Sequence, residues 1–388
     1  MAKFLFYDDK IINILIKDEK PSGGAAVQAY GWIRGLAAAG QDVKVLTNVS
    51  QHEVLKEACK HFQLIPLYDR KKGIRWLRWV YYRLPYIYKQ IKQAKPDFLY
   101  QGIPGWQSFL LGMICYQLDI KYILRISNDY LLDDRFYEKN SRTHRYFQRK
   151  GIELAYCVLC QNDYQLNIIK KEFPDKKAFK IPNPYFSDHK KWAIEPGSKK
   201  YIAWLGLYQY QKNLKLLYQI ACILKDEQFL IAGKEGTTCD RETHEYLQKL
   251  KQLPNVQFAG FLKREQVLPF LSKAKFLLNT SHYEGFSNTF LEAMSVGTPI
   301  LTSQKVNPDA IITRYQLGIV YNDAQDLQEQ LSSVTPDRYE VMSLDVRYYV
   351  AQQHDYIRLS KKLVHLLVGV NPISYIHSKD IINPIESE

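Results

Sequence analysis

The chain has 388 residues, more than the roughly 250–300 that one hydrophobic core usually supports, so about two domains are expected. Apolar residues make up 46% and charged residues 24%, which excludes a low-complexity or globally disordered protein. The longest apolar runs, such as FLLGMIC at 109–115, are far shorter than the roughly 20 residues that a membrane span needs. The N-terminus carries acidic pairs and lacks a small-residue cleavage site, so it predicts a first strand of a cytoplasmic protein.

The formal net charge of +13 is confined to one half of the chain. Residues 1–200 hold 34 of the 53 Lys and Arg but only 20 of the 40 Asp and Glu. The excess is densest at 70–95, a segment without acidic residues in which basic side chains alternate with Trp and Tyr. Three interpretations stay open: an anionic membrane surface, nucleic acid, or a solvated helix whose rings pack inward. We favour the membrane surface over nucleic acid, with a face formed by Arg75, Trp76, Arg78, Trp79 and Arg83.

In the first half of the chain, short apolar strands alternate with helices. A glycine loop that ends at Gly24 separates the first strand from the first helix. This alternation predicts a parallel sheet covered by helices. Cys157 and Cys160 lie in one predicted strand, so we interpret them as core residues and not as half of a zinc site. The predicted strands are Lys3–Tyr7, Asp42–Thr47, Phe98–Gln101, Tyr122–Ile126 and Tyr156–Cys160, and the predicted helices are Ala25–Ala39, Gly105–Leu118, Arg142–Leu154 and Asp163–Phe173.

A proline-containing linker, 181–200, precedes a second series of strands and helices. The predicted domains are therefore 1–190 and 191–342, followed by a C-terminal helix within 343–370 that crosses back to the first domain and by a tail, 371–388. Two doubly wound, Rossmann-like α/β domains bind ligands in the cleft between them, at the carboxyl ends of the strands. The predicted strands are Tyr201–Leu205, Gln228–Ala232, Val256–Ala259, Phe276–Asn279 and Pro299–Thr302, and the helices are Asn213–Leu224, Thr243–Leu250, Arg264–Ser272, Asn288–Val296, Asp326–Val334 and Ser343–Val368.

The most informative segment is HYEGFSNTFLEAMSVGTPILTS, from His282 to Ser303. A strand leads through Gly285 into a helix that Ser287 or Asn288 can cap, and a helix start of this kind binds anions. Carboxylates flank that helix start on both sides and can accept hydrogen bonds from sugar hydroxyls. The segment therefore predicts a site for a phosphate with a sugar on either side.

The string EGFSNTFLEAMSVGTPI resembles the E-x7-E signature of retaining nucleotide-sugar glycosyltransferases of family four, which have the GT-B fold. Three other segments match that family in the same order along the chain: 21–47, with its glycine loop, the IPNP linker at 181–184, and the opening of the second domain at 201–217. The resemblance implies the two-domain organisation that the pattern of strands and helices predicts.

The resemblance also implies roles for individual residues. Glu284 would contact donor-sugar hydroxyls near the reacting carbon, Glu292 the ribose hydroxyls and Lys212 the diphosphate. A fixed cation and a helix start would stabilise the charge of the leaving diphosphate, so we expect neither an essential metal nor a cofactor. The remaining donor contacts would come from Gly23, Gly24, Gly285, Phe286, Ser287 and Asn288.

Two positions depart from the family pattern. Leu207 stands where an arginine commonly follows the glycine of the domain-two opening, and Lys215 or a basic residue of the first domain is the expected substitute. The histidine usual near the reacting carbon is absent, and Asp129 is the candidate for its place, with a loop-capping Asp as the alternative.

The predicted function is transfer of a sugar from a nucleotide-diphosphate donor to a hydroxyl of a glycan or lipid-linked acceptor, with retention of configuration. A basic first domain suits surface polysaccharide assembly, of lipopolysaccharide or capsule, by a cytoplasmic enzyme peripheral to the inner membrane face. The alternatives are a sugar-nucleotide epimerase of the same fold, a non-catalytic relative, and a nucleic-acid-binding protein, which would leave the E-x7-E segment unexplained.

Overall fold

A computed structural model describes residues 1–17, 23–48, 53–69, 71–74, 77–186, 199–236 and 239–369. The predicted boundary at 190, the predicted tail, Arg75 and Trp76 lie outside these residues. The strands are β1 (Lys3–Tyr7), β2 (Asp42–Thr47), β3 (Gln63–Pro66), β4 (Phe98–Gln101), β5 (Lys121–Arg125), β6 (Cys157–Cys160), β7 (Ala178–Lys180), β8 (Tyr201–Tyr208), β9 (Phe229–Glu235), β10 (Val256–Gly260), β11 (Ala274–Asn279), β12 (Ile300–Ser303) and β13 (Gly318–Tyr321). The α-helices are α1 (Ile12–Leu15), α2 (Gly24–Ala38), α3 (Leu84–Ala94), α4 (Trp106–Gln117), α5 (Asp134–Lys139), α6 (Arg142–Leu154), α7 (Asp163–Glu172), α8 (Leu214–Ile223), α9 (Arg241–Leu250), α10 (Arg264–Ser272), α11 (Asn288–Ser295), α12 (Ile311–Arg314), α13 (Ala324–Ser332), α14 (Pro336–Gln353) and α15 (Tyr356–Val368).

The first sheet has seven parallel strands in the order β3-β2-β1-β4-β5-β6-β7. The strand order reverses between β1 and β4, which is where doubly wound sheets bind ligands. The strands predicted at 3–7, 42–47 and 98–101 are confirmed. The edge strands β3 and β7 were not predicted, because three or four residues are too few for a period-two pattern.

The second sheet has six parallel strands in the order β10-β9-β8-β11-β12-β13. Its edge strand β13 was likewise not predicted. Apolar residues cover both faces of each sheet. The predicted fold class, two doubly wound α/β domains, is therefore confirmed.

Strand β6 carries the CxxC pair. Cys157 and Cys160 are fully buried among apolar side chains, and burial raises the pKa of each thiol to about 12. Both are structural core residues, as the sequence indicated. Among the described residues, no group of three or more His, Cys, Asp or Glu side chains is placed to hold a metal ion.

The chain passes between the two sheets twice, and the two crossings contact each other. The amide of Tyr185, in the first crossing, donates to the carbonyl of His354, in the second, at 2.8 Å. Helix α2 packs closely against both: a Cβ at Gly31 would lie 2.4 Å from the Pro184 carbonyl oxygen, and one at Gly35 would lie 2.3 Å from that of Tyr356. Glycine is needed at both positions because any side chain would force the crossings away.

The single helical run predicted at 343–368 is two helices, α14 and α15, separated at His354 and Asp355. The Asp355 carboxylate accepts a hydrogen bond from the Arg358 amide at 2.7 Å and so starts α15 anew. Leu359, Leu363 and Leu367 of α15 are buried in the core of the first sheet.

Candidate functional site

The start of α11 projects from the carboxyl end of β11. Neither Ser287 nor Asn288 caps the helix, contrary to the expectation from sequence. The Ser287 hydroxyl instead lies 2.7 Å from the Thr289 hydroxyl, and the Asn288 amide donates to the Gly24 carbonyl at 2.7 Å. The first turn of α11 therefore keeps amide groups that no capping side chain satisfies, which favours an anion at this end.

The loop before α11 is held by hydrogen bonds to the segment 209–212. The Gln211 carbonyl accepts from the His282 amide at 2.8 Å, and the Gln211 side chain donates to the Tyr283 carbonyl at 3.0 Å. The Thr280 hydroxyl donates to the Lys212 carbonyl at 2.7 Å. These bonds bring Lys212 beside Glu284, although the two residues are 72 positions apart.

Lys212 and Glu284 form a half-buried ion pair. The Lys212 Nζ lies 2.5 Å from Glu284 Oε1, which also accepts from the Ser281 hydroxyl at 3.1 Å. The lysine side chain is 17% and the glutamate side chain 10% exposed, so the pair is shielded from water but reachable by a ligand. The ammonium group has three donors and can keep Glu284 while it binds a second anion.

Glu292 forms a second ion pair, with Arg264 at the start of α10. The Glu292 side chain is only 4% exposed, whereas that of Arg264 is 34% exposed. Both line a cavity of about 380 Å³, here called the Glu292 cavity, together with Tyr30 and Gly31 of α2 and with Tyr185. Burial, with the nearby Glu292 charge, raises the pKa of Tyr185. This cavity therefore has walls from both domains.

Asp129 lies at the opposite side of the cleft from the second sheet. Its carboxylate accepts hydrogen bonds from Gln165 at 2.7 Å and from Asn162 at 3.1 Å, and burial raises its pKa. Asp129 and Glu284 line one cavity of about 400 Å³, the Glu284 cavity. Asn128, the residue before Asp129, is the one that caps the following turn, by accepting from the Tyr130 amide at 3.2 Å.

Gly285 is in close contact with the first domain. Its carbonyl accepts from Asn162 at 3.1 Å, and a Cβ added to it would lie 3.0 Å from Gln161 Oε1 and 3.1 Å from the Asn128 Cα. A side chain here would therefore crowd the first domain, and its neighbours would have to shift by a few tenths of an ångström.

The Phe286 ring packs among other rings at the second crossing. It packs against His354 at 5.2 Å and Phe290 at 6.4 Å between ring centroids, next to the second crossing. His354 is buried, which lowers its pKa to about 4, and its Nδ1 lies 2.8 Å from the Asn183 carbonyl oxygen. The ring thus packs beside the second crossing, and the prediction that Phe286 contributes to donor binding stays a prediction.

The glycine loop lines a third cavity, of about 360 Å³, between the ends of β1 and β4 and the start of α4. This glycine-loop cavity includes Gly23, Asp8, Trp106 and His144. Burial raises the pKa of Asp8 to about 6, close to neutrality. The position of Asp8 at the carboxyl end of β1 was the signal in the sequence that could have identified it.

Lys215 does not supply the positive charge that is absent at Leu207. The Lys215 ammonium lies 5.9 Å from the Tyr246 ring, on the outer side of α8. Arg264, which forms an ion pair with Glu292, is a cation of the site that was not predicted from the sequence. The sequence feature that could have identified Arg264 is its position just after strand β10, because the loops that follow the strands of such a sheet reach the cleft.

The basic, aromatic segment does not form one outward face. Arg83 is only 8% exposed and stacks on the rings of Tyr68 and Trp79 at 4.7 and 5.0 Å. Trp79 is half-buried and meets the Trp106 ring edge-on at 4.6 Å. The inward-packing interpretation therefore holds for Arg83 and Trp79, and their assignment to a membrane-facing surface is corrected. The described ranges contain no helix that is both long and apolar enough to cross a bilayer.

Residues 186–349 match the family model of glycosyl transferases group 1. A 2-deoxystreptamine N-acetyl-D-glucosaminyltransferase of Niallia circulans is 26% identical over 60% of this chain and 61% of its own length. An alpha-monoglucosyldiacylglycerol synthase of Streptococcus pneumoniae is 24% identical over 50% of this chain and 46% of its own length. The chain thus matches less than two thirds of the length of either relative.

Solved structures share the fold at low sequence identity. The sucrose-phosphate synthase of Thermosynechococcus elongatus superposes with a TM-score of 0.75 at 16% identity, covering 95% of this chain and 99% of that chain. Anabaena HepE, in complex with UDP and glucose, superposes with a TM-score of 0.72 at 13% identity, covering 95% and 100%. The comparisons therefore show that residues 186–349 are similar to the glycosyl transferases group 1 and that the chain shares its two-domain fold with these solved structures.

Proposed function

We propose that this protein transfers a sugar, with retention of configuration, from a nucleotide-diphosphate donor to a hydroxyl of a glycan or lipid-linked acceptor. One observation carries the proposal: Glu284, paired with Lys212, precedes the uncapped start of α11, and Glu292, paired with Arg264, follows it one turn later. The names of both relatives describe transfer of a glucose-type sugar or synthesis of a glucosylated lipid, and HepE holds UDP, which further supports it. Retention rests on the resemblance of the E-x7-E segment.

Each pair has a distinct task in this proposal. The diphosphate binds the first turn of α11 and the Lys212 ammonium, which stabilise the charge that builds on the leaving group. Glu284 accepts hydrogen bonds from the donor sugar and Glu292 from the ribose. Arg264 takes the place of the arginine absent at Leu207, because it is the cation in contact with the predicted ribose carboxylate.

The cation and the helix start supply the positive charge that a metal ion would otherwise provide, so we propose that transfer needs no divalent metal. The acceptor would enter through the glycine-loop cavity, where Trp106 offers an apolar ring and Asp8 a carboxylate. Sugar recognition commonly combines these two, a ring face and hydrogen-bond acceptors. Asp129 lies on the same side of the cleft, and we propose that it contacts the sugar that is transferred.

Replacing Glu292 by Gln is expected to abolish stabilisation by the donor. A ligand at a hundredfold excess over Kd raises the free energy of unfolding by about 2.7 kcal/mol. Thermal-shift measurements with UDP-, GDP- and ADP-sugars should show stabilisation of the wild type by one nucleotide class and its loss in Glu292→Gln. Glu340→Gln, on the exposed side of α14, is the matched control and should respond like the wild type. Stabilisation of Glu292→Gln equal to that of the wild type would contradict the assignment.

We further propose that the protein binds an anionic membrane surface through the exposed residues that precede α3. Val80 is 72%, Ile74 58% and Tyr81 51% exposed, and Lys71 and Lys72 stand beside them. Apolar side chains that enter the headgroup region next to cations are the combination that holds a protein on an anionic leaflet. This surface lies next to Trp79, which contacts the wall of the glycine-loop cavity at Trp106.

The double charge reversal Lys71→Glu, Lys72→Glu is expected to release the protein from anionic vesicles. Each lysine contributes on the order of 1 kcal/mol near a leaflet with about 30% phosphatidylglycerol. Co-sedimentation should therefore fall for this variant, while Lys170→Glu, Lys171→Glu on α7 carries the same charge change and should sediment like the wild type. Equal sedimentation with neutral phosphatidylcholine vesicles would exclude an electrostatic membrane contact.

A further inference from the structure

Arg125 is a fully buried cation at the end of β5 whose partners are neutral. Its guanidinium donates to the Asn183 Oδ1 at 2.6 Å, to the Ile181 carbonyl at 3.0 Å and to the Gln28 Oε1 at 3.3 Å. No carboxylate among the described residues pairs with it. A buried charge is costly unless hydrogen bonds satisfy it, so an arginine in this place needs an explanation.

Arg125 fixes the orientation of two side-chain amides, those of Asn183 and Asn288, by determining which neighbour faces the oxygen and which faces the NH₂ group. A guanidinium can only donate, so Asn183 must present its oxygen to Arg125 and its NH₂ group to the far side. That NH₂ group donates to the Asn288 oxygen at 3.1 Å. The Asn288 NH₂ group is thereby turned toward the Gly24 carbonyl, to which it donates at 2.7 Å.

These four residues form a directed hydrogen-bond relay, Arg125–Asn183–Asn288–Gly24. It begins in the core of the first domain, passes through the first crossing, and ends by joining the first residue of α11 to the first residue of α2. With a neutral group in place of Arg125, the side-chain amides of Asn183 and Asn288 could each rotate so that the oxygen and the NH₂ group exchange places. Hydrogen bonds in such a chain strengthen one another in a low-dielectric interior.

We propose that Arg125 is a positioning residue that sets donor affinity by holding Gly24 against the start of α11. This inference rests on the proposed donor site. The relay keeps the helix starts of α2 and α11 facing each other, so that the anion-binding end of α11 is closed on one side by the glycine loop. When the Asn288 amide turns over, its oxygen faces the Gly24 carbonyl, and repulsion between the two acceptors opens that side.

The decisive variant is Asn183→Asp. Aspartate has the shape of asparagine and still accepts from Arg125, so the fold is preserved and the ligand-free melting temperature should not fall. The aspartate cannot donate to Asn288. The Asn288 NH₂ group must therefore donate to the aspartate, which reverses the hydrogen bond between these two residues. We expect the Kd for the nucleotide that stabilises the wild type, among UDP, GDP and ADP, to rise about tenfold, with kcat at saturating donor changed much less.

Hydrogen exchange gives a readout that needs no ligand. Amides at 28–31, which donate to the carbonyls of the first turn of α2, should exchange faster in Asn183→Asp than in the wild type, because the Gly24 contact that holds this turn is lost. Asn167→Asp, at an exposed position of α7, carries the same charge change and should alter neither exchange nor affinity. Arg125→Lys retains a cation and should restore near-wild-type affinity, whereas Arg125→Met should behave like Asn183→Asp.

Unchanged exchange and unchanged Kd in Asn183→Asp would overturn the relay. Faster exchange in a protein whose wild type binds none of the three nucleotides would support the relay and refute the proposed donor site. If Arg125→Met does not fold, Asn183→Asp still decides the matter, because it retains the arginine.

Discussion

Replacing Lys212 by Met is expected to lower kcat by two to three orders of magnitude. The ammonium at 2.5 Å from Glu284 would be the fixed cation that meets the leaving diphosphate, and loss of one such group costs about 10²–10³ in rate. Single-turnover transfer with saturating donor sugar measures the effect. Lys215→Met, three residues along the chain but directed at the Tyr246 ring, is the matched control and should transfer like the wild type.

A double variant separates this catalytic role from a purely structural one. Lys212→Met leaves the Glu284 carboxylate half-buried without its cation, which destabilises the fold. Lys212→Met, Glu284→Gln removes both charges, so its melting temperature should recover while transfer stays lost. Recovery of both properties in the double variant would show that the pair is structural and would contradict the proposed role of Lys212.

Introducing Val at Gly285 is expected to reduce kcat/KM about ten- to a hundredfold and to lower the melting temperature. Its Cβ would lie 3.1 Å from the Asn128 Cα and 3.2 Å from Gln165 Nε2, and backbone cannot give way as a flexible side chain can. Overpacking of this kind typically costs about 1–3 kcal/mol. The loop would move, and Glu284 and the start of α11 would move with it.

Gly236→Ala is the control for the Gly285 variant, because a Cβ there meets the Gln209 Oε1 and the Tyr208 carbonyl oxygen at 3.5 Å, which are ordinary contacts. It should leave donor kinetics and melting temperature unchanged. Donor Kd, kcat and thermal unfolding measured on both variants check the prediction. A Gly285→Val protein with wild-type kinetics would show that the contact between this loop and the first domain is irrelevant to transfer.

The sequence predicted local structure well where the pattern was long. The alternation of buried strands with amphipathic helices led to two parallel sheets, and three strands of the first sheet were predicted at their observed bounds. Short edge strands such as β7 were missed because a few residues carry no periodicity. The break between α14 and α15 was missed because the apolar spacing continues across it, and only the Asp355 cap interrupts the helix.

The basic segment shows why composition does not determine a surface. Cations and rings at 70–95 were compatible with a membrane face and with an inward-packed helix alike. In the structure Arg83 lies between Tyr68 and Trp79, while exposed Val80 and Tyr81 face outward. Which side of a helix meets the core depends on the rings of neighbouring elements, such as Trp106, and these are not encoded within the segment itself.

The two-domain α/β fold and the carboxylate-flanked helix start were predictable from the sequence, because each depends on residues that lie close together along the chain. The partners that complete the site became visible only in the folded chain. Arg264 and Glu292 are 28 residues apart, Arg125 and Asn183 are 58 apart, and Gly24 and Asn288 are 264 apart. Contacts at such separations depend on how the two sheets are placed against each other, and periodicity and local spacing carry no information on that placement.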